Sequence, residues 1–187
     1  MYTYGNSVAS LAELHNCTVI EGSLRLLWML NNVKPENYSA VALPNLYEIT
    51  DHLVLFRVNG LLKLGDLFPN LRVIRGNQVF YNFGLVIFEL MDIESISLPH
   101  LHYLGRGVLA YSNPQLCFLD KVDWTRIIPG EPEVKWYENE REQACRLIEG
   151  CRQSCEGRNS RDYCWDNTHC QDEGKAMCKA VSRLLVW

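Results

Sequence analysis

The chain has no long hydrophobic run: no stretch approaches the roughly 18 apolar residues of a membrane span, and the closing residues 180–187 are too few for one. It has no basic field either. The formal net charge is −4 and no Lys/Arg cluster exceeds two adjacent residues, which sets nucleic-acid binding aside. Catalytic signatures are missing too: there is no H-E-x-x-H pair, no G-x-S-x-G and no G-x-x-x-x-G-K. The five histidines are His15, His52, His100, His102 and His169. Of these, His52 beside Asp51 and the His100-Leu101-His102 alternation read as surface polar positions on turns. The opening Met1-Tyr2-Thr3-Tyr4-Gly5 lacks the basic segment and apolar core of a signal peptide. The expectation is that the start is missing or that the chain is a fragment.

What the chain does have is one cadence stated three times. It occurs as Leu43-Pro44-Asn45-Leu46, Phe68-Pro69-Asn70-Leu71 and Leu98-Pro99-His100-Leu101, and an apolar strand-like run follows each. Repetition at this spacing reads as stacked coils of a solenoid. Such a fold offers a broad sheet surface, which points to binding rather than catalysis. With 187 residues, 48% hydrophobic and 21% charged, there is room for one sizeable domain and a small appendage.

Val8, Leu11 and Leu14 at helical spacing, with Ser7 or Ser10 as N-cap, predict a short helix leading into Cys17. Strands are predicted over 18–22, 24–30, 52–58, 73–76 and 79–88, with glycines at the corners. Strict alternation would place Val54, Phe56 and Val58 on one face and Leu53, Leu55 and Arg57 on the other. Both faces then carry large apolar groups. A parallel sheet buried on both sides explains this, and so does one core face with a second face of exposed aromatics for a partner. Residues 131–143 read as a charged loop.

Eight cysteines are distributed unevenly, with Cys145, Cys151, Cys155, Cys164, Cys170 and Cys178 crowding the last quarter. Beyond Cys145 apolar periodicity fades, so disulfides are expected to replace a core. Together with two glycosylation acceptors, Asn16-Cys17-Thr18 and Asn37-Tyr38-Ser39, this clustering favours an oxidising, secretory environment. Eight cysteines allow about 105 complete pairings, and composition does not choose among them. A zinc site from Cys151, Cys155, Cys164, Cys170 and His169 is the chemical rival, though no paired C-x-x-C knuckles occur.

Several stretches together resemble a known family. They are Asn16-Cys17-Thr18-Val19-Ile20-Glu21-Gly22, Ile49-Thr50-Asp51-His52-Leu53-Val54-Leu55-Phe56-Arg57-Val58, Leu67-Phe68-Pro69-Asn70-Leu71-Arg72-Val73-Ile74-Arg75-Gly76 and Asn82-Phe83-Gly84-Leu85-Val86-Ile87-Phe88-Glu89. They are similar to the receptor L domain followed by a furin-like cysteine-rich module, as in the insulin and insulin-like growth factor receptors. Ser112-Asn113-Pro114-Gln115-Leu116-Cys117 leans locally toward the epidermal growth factor receptor relatives.

The resemblance implies a mainly β fold, a right-handed parallel β-helix with a short N-terminal helix and a disulfide-rich C-terminal extension. Residues 1–148 would be an N-terminally incomplete L domain, and residues 149–187 a partial furin-like module with a divergent tail. The implied function is the extracellular ligand-binding region of an insulin-like peptide receptor; the alternatives are a soluble truncated decoy that sequesters such a peptide and the L domain of an epidermal growth factor receptor relative. The implied partners are an insulin-like hormone and the C-terminal helix of the receptor's own α-chain. No cofactor, catalytic residue or membrane insertion is implied; the family's tyrosine kinase has no motif in these residues.

Carried over by position, the family's binding face falls on Arg25, Leu27, Trp28, Leu30, Val54, Phe56 and Arg57. It continues through Phe80, Tyr81, Asn82, Phe83, Val86, Phe88 and Glu89. The family pattern also pairs Cys117 with Cys145, Cys151 with Cys164 and Cys155 with Cys170, leaving Cys17 and Cys178 unpaired. Three departures stand out: Thr3-Tyr4-Gly5-Asn6 keeps only the Asn of the family's opening strand, the cysteine preceding Cys17 is absent, and Leu109 and Tyr111 replace a charged pair. Weak hormone binding by the chain alone is the expected consequence.

Overall fold

In a computed structural model, the structure describes residues 1–5, 7–30, 33–138, 145, 151, 155 and 163–171. The fold is mainly β and is built from two parallel sheets. A large sheet joins β1 (Tyr2–Gly5), β3 (Leu24–Met29), β5 (Leu53–Val58), β7 (Leu85–Phe88), β9 (Gly107–Tyr111) and β10 (Glu133–Tyr137). A small sheet joins β2 (Val19–Ile20), β4 (Glu48–Ile49), β6 (Val73–Ile74) and β8 (Tyr103–Leu104). Through β9 the backbone alternates between the two after β1, and all strand pairs are parallel.

Register explains why the interior is apolar. Ile20, Ile49, Ile74 and Leu104 form one in-register column of the small sheet, while Leu24, Leu53, Leu85 and Val108 form another in the large one. All eight are buried in one core. Each cadence adds two more buried apolar groups: Leu43 and Leu46, Phe68 and Leu71, Leu98 and Leu101. Their polar members tie neighbouring turns together, as Asn45 Nδ2 donates to the His15 carbonyl at 3.2 Å and Asn70 Nδ2 to that of Pro44 at 2.8 Å.

The first helical segment, Val8–Leu14, is a 3₁₀ helix. Val8, Leu11 and Leu14 recur every three residues, the period of that helix, and all three are buried. Ser7 occupies the N-cap position but makes no side-chain cap bond. Two short α-helices follow, α1 (Pro35–Ala40) and α2 (Leu64–Leu67).

Three expectations about the strands need correction. Val58 does not share a face with Val54 and Phe56, because Arg57 adopts φ +52° and shifts the alternation by one residue. Trp28, Glu89, Ser112 and Glu138 repeat this left-handed step at the ends of the neighbouring strands, with φ between +50° and +60°. The residues after the first four of these steps, Met29, Val58, Leu90 and Asn113, are thereby turned into the interior, where all are buried. Second, residues 79–84 are not a strand. Phe80 and Phe83 exchange backbone hydrogen bonds around Tyr81 and Asn82, both at positive φ, which is the geometry of a two-residue hairpin turn. Third, the segment read as a charged loop contains β10, whose Val134 and Trp136 alternate with Lys135 and Tyr137 along β9. As an edge strand it needs little apolar character.

Close backbone approach at one corner requires glycine. A Cβ on Gly105 would lie 1.9 Å from the Arg75 carbonyl oxygen, a rigid backbone atom. Gly105→Ala is therefore expected to lower stability by roughly 1–3 kcal/mol, the cost of overpacking a fitted site. Urea unfolding followed by far-UV circular dichroism measures it; an unchanged midpoint would show that the corner relaxes freely.

Disulfides join Cys117 to Cys145, Cys151 to Cys164 and Cys155 to Cys170, with Cα separations of 5.7, 5.6 and 5.5 Å. The sulfurs required by the rival zinc site are thus consumed, which overturns that reading. Among the described residues Cys17 has the free thiol; Cys178 and Asn6 lie outside them. The extension is not coreless, contrary to expectation. Trp165 enters the main core, its ring 5.8 Å from and perpendicular to that of Trp124. Among the described residues no helix is long and apolar enough to cross a membrane.

Candidate functional site

The outer face of the large sheet carries two in-register columns. One runs Thr3, Arg25, Val54, Val86, Leu109, Lys135; the other runs Gly5, Leu27, Phe56, Phe88, Tyr111, Tyr137. These columns floor a concavity of about 710 Å³. Strand-to-strand spacing in a parallel sheet places successive rings of a column within contact distance. The Phe56 and Phe88 rings stack at 5.0 Å, Phe88 meets Tyr111 at 5.0 Å, and Trp28 meets Phe56 edge-on at 4.9 Å.

Of the sequence-predicted residues, Arg25, Leu27, Val54, Phe56, Phe80, Tyr81, Val86 and Phe88 line this concavity together. Phe83 is buried and forms a second apolar cluster with Val54 and Val86, against which Leu27, Phe80 and Leu109 pack. Trp28, Arg57 and Glu89 occupy the margin. Their left-handed backbone turns them out of the strand alternation, and Arg57 lies 4.7 Å from the Trp28 ring and 5.1 Å from that of Phe56. The Arg57 guanidinium is ion-paired with Glu89. Leu30 and Asn82 are exposed beyond the concavity, and Tyr81, at 78% exposure, projects from the hairpin turn.

Three lining residues fall outside the sequence-predicted set: Leu109, Tyr111 and Tyr137. The first two stand out in the sequence only as departures from the family's charged pair. For Tyr137 a signal was present in the alternation of Val134-Lys135-Trp136-Tyr137, a strand pattern on an edge.

His52 corrects another expectation. It is not a surface turn residue but 4% exposed, because it sits at the start of β5 beneath Arg25 and the residue 78–80 loop. Nδ1 lies 3.1 Å from the Gln78 carbonyl, and Nε2 lies 3.2 and 3.0 Å from Nε and Nη2 of Arg25. A carbonyl only accepts and a guanidinium only donates, so the ring is neutral with its proton on Nδ1. Burial pushes the imidazole below its ordinary value, and the neighbouring Arg25 cation adds to this against the opposing pull of Gln78 and Asp51. Among the described residues no cluster of His, Cys, Asp or Glu has the makings of a metal site.

The chain thus joins two parallel sheets and carries a row of stacked aromatic rings on the outer face of the larger one. The Receptor L domain family model matches residues 16–128, and the protein belongs to that family. The matched region is a receptor L domain, not a catalytic domain. Among its relatives, it is 42% identical over 173 residues to the insulin-like peptide receptor of Branchiostoma lanceolatum, covering 89% of this chain and 12% of that protein. It is 37% identical over 182 residues to the insulin-like growth factor 1 receptor of Xenopus laevis, covering 92% and 13%. With the insulin receptor of Xenopus laevis the identity is 38% over 185 residues, covering 93% and 13%. The chain thus spans about an eighth of the length of these curated relatives.

Proposed function

We propose that this chain is part of the extracellular region of an insulin-like peptide receptor, and that it holds peptide hormone on the outer face of the large sheet. The observation that carries the reading is the uncovered aromatic column of Phe56, Phe88 and Tyr111 above an apolar floor. A contiguous apolar face of this kind marks an interaction surface, and stacked aromatics are the usual anchors of one. The relatives named above support peptide hormone as the occupant.

The alternation of strands between the two sheets supports a right-handed β-helix for residues 1–148, and the disulfides support a partial furin-like module beyond it. Asn16 and Asn37 are both exposed, as glycan acceptors must be. Their use, together with the disulfides, would fit an extracellular location. The C-terminal helix of the receptor's α-chain is the second proposed occupant of the face.

Phe56→Ala and Phe88→Ala are each expected to weaken capture of insulin by about 2 kcal/mol, roughly thirtyfold. Titration calorimetry near neutral pH, with a synthetic peptide of that receptor-tail helix present, measures this. Secretion and thermal midpoint are expected to hold. If both variants bind like the parent but are poorly secreted, the two rings are core and the reading fails.

A further inference from the structure

The two arginines of the outer face differ in one respect. Arg57 is neutralised by Glu89, whereas among the described residues no carboxylate pairs with Arg25. Its guanidinium nevertheless has a set position, 5.2 Å from the Phe80 ring and hydrogen-bonded through Nε and Nη2 to the buried His52. His52 is itself oriented by the Gln78 carbonyl at 3.1 Å. Among the described residues no further acceptor meets the remaining N–H groups of Arg25, and the residue lines the concavity. A cation held rigid by a neutral acceptor, over an aromatic face and beside an apolar floor, is an arrangement for one anionic group.

We propose that Arg25 receives a carboxylate of the bound peptide, that neutral His52 is the positioning residue which holds Arg25 for it, and that protonation of His52 releases that hold. The inference rests on the peptide-binding reading of this face. Protonated imidazole is a donor at both nitrogens, so Nε2 no longer accepts from Arg25 and the two cations repel. The charged groups facing His52 are Arg25 from β3, against it, and Asp51 beside it in sequence, in favour of protonation; the Gln78 carbonyl is neutral and accepts from either form. Burial favours the neutral ring, so the change falls below the ordinary imidazole value of 6.5. Peptide captured near neutral pH is then held less firmly in an acidic compartment.

Three measurements on the full chain test this. In nitrogen-15 spectra the Arg25 Nε–H resonance is expected to titrate with a midpoint below 6.5, and His52→Gln, which keeps an uncharged acceptor, is expected to abolish that titration. Addition of N-acetylglutamate at about pH 7.5 is expected to shift the Arg25 resonance more than that of Arg57, and to do so far less at about pH 5.5. Insulin affinity, with the tail-helix peptide present, is expected to fall about tenfold between these two conditions beyond any fall in His52→Gln, and Arg25→Gln is expected to lose about tenfold at neutral pH with the excess slope gone. An Arg25 resonance that ignores pH or the carboxylate overturns the proposal, as does an identical insulin profile in parent and His52→Gln. Failure of every variant to bind insulin while both spectroscopic results hold would refute the hormone reading and leave the carboxylate site standing.

Discussion

Trp165→Ala is expected to remove about 3–5 kcal/mol of stability, the range for truncating a fully buried tryptophan. Trp165 is 1% exposed and belongs to the extension, yet it packs in the main core beside Trp124. Trp124 is itself anchored, its indole Nε1 donating to the Leu119 carbonyl at 2.9 Å. Backbone bonds flank the ring: Cys164 N–H donates to the Lys121 carbonyl at 2.9 Å and Trp165 N–H to that of His169 at 2.8 Å. A cavity walled by groups held this way relaxes little, so the lost contacts are not recovered. Chemical unfolding followed by far-UV circular dichroism, which does not depend on the deleted fluorophore, measures the loss. A change below about 1 kcal/mol would mean that the extension docks through its polar contacts to Lys63, Ser97 and Lys121 and not through the indole.

Asp166→Ala is expected to be of similar size, about 3–5 kcal/mol, because it leaves partly buried Lys63 without its counter-charge. The carboxylate accepts from Lys63 Nζ at 2.9 Å, Ser97 Oγ at 2.7 Å and both the backbone and hydroxyl of Thr168 at 2.7 Å. Burial pushes this carboxyl up, but the hydrogen bonds from Thr168, Lys63 and Ser97 outweigh burial and hold it far below the usual carboxylate range. A carboxyl lowered in the folded state stabilises that state above its unfolded value of 3.8, and the contribution fades as pH falls below that value. The parent is therefore expected to lose stability steeply between about pH 4 and pH 2, and Asp166→Asn to show a shallower decline. Equal slopes would show that the cluster does not act on the folding equilibrium.

Much of the architecture was legible in local pattern. The three cadences mark buried turns because leucine and phenylalanine flank a proline that ends each turn, and those six apolar groups are all in the core. The strands at Leu53–Val58, Val73–Ile74 and Leu85–Phe88 were legible from β-branched and aromatic runs. Phe56, Phe80, Val86 and Phe88 were placed on one face through the family's pattern, and the structure gathers them in one concavity. The left-handed steps at Trp28, Arg57 and Glu89 were not legible, since large side chains rarely adopt positive φ and nothing local announces them. Their effect is a change of face for Val58, which no period-two reading anticipates.

The sequence by itself determined the repeat, the apolar content of each turn, the cysteine clustering and the absence of catalytic signatures, because all of these depend on residue type and spacing along the polypeptide. Tertiary structure decided what depends on residues far apart in it. Arg25 meets His52 across 27 positions, Lys63 meets Asp166 across 103, and Tyr137 joins the face only because β10 pairs with β9. Spacing carries no information about such meetings. A buried imidazole and an exposed one have the same letter, and only the neighbours that remove water and supply a donor or acceptor distinguish them.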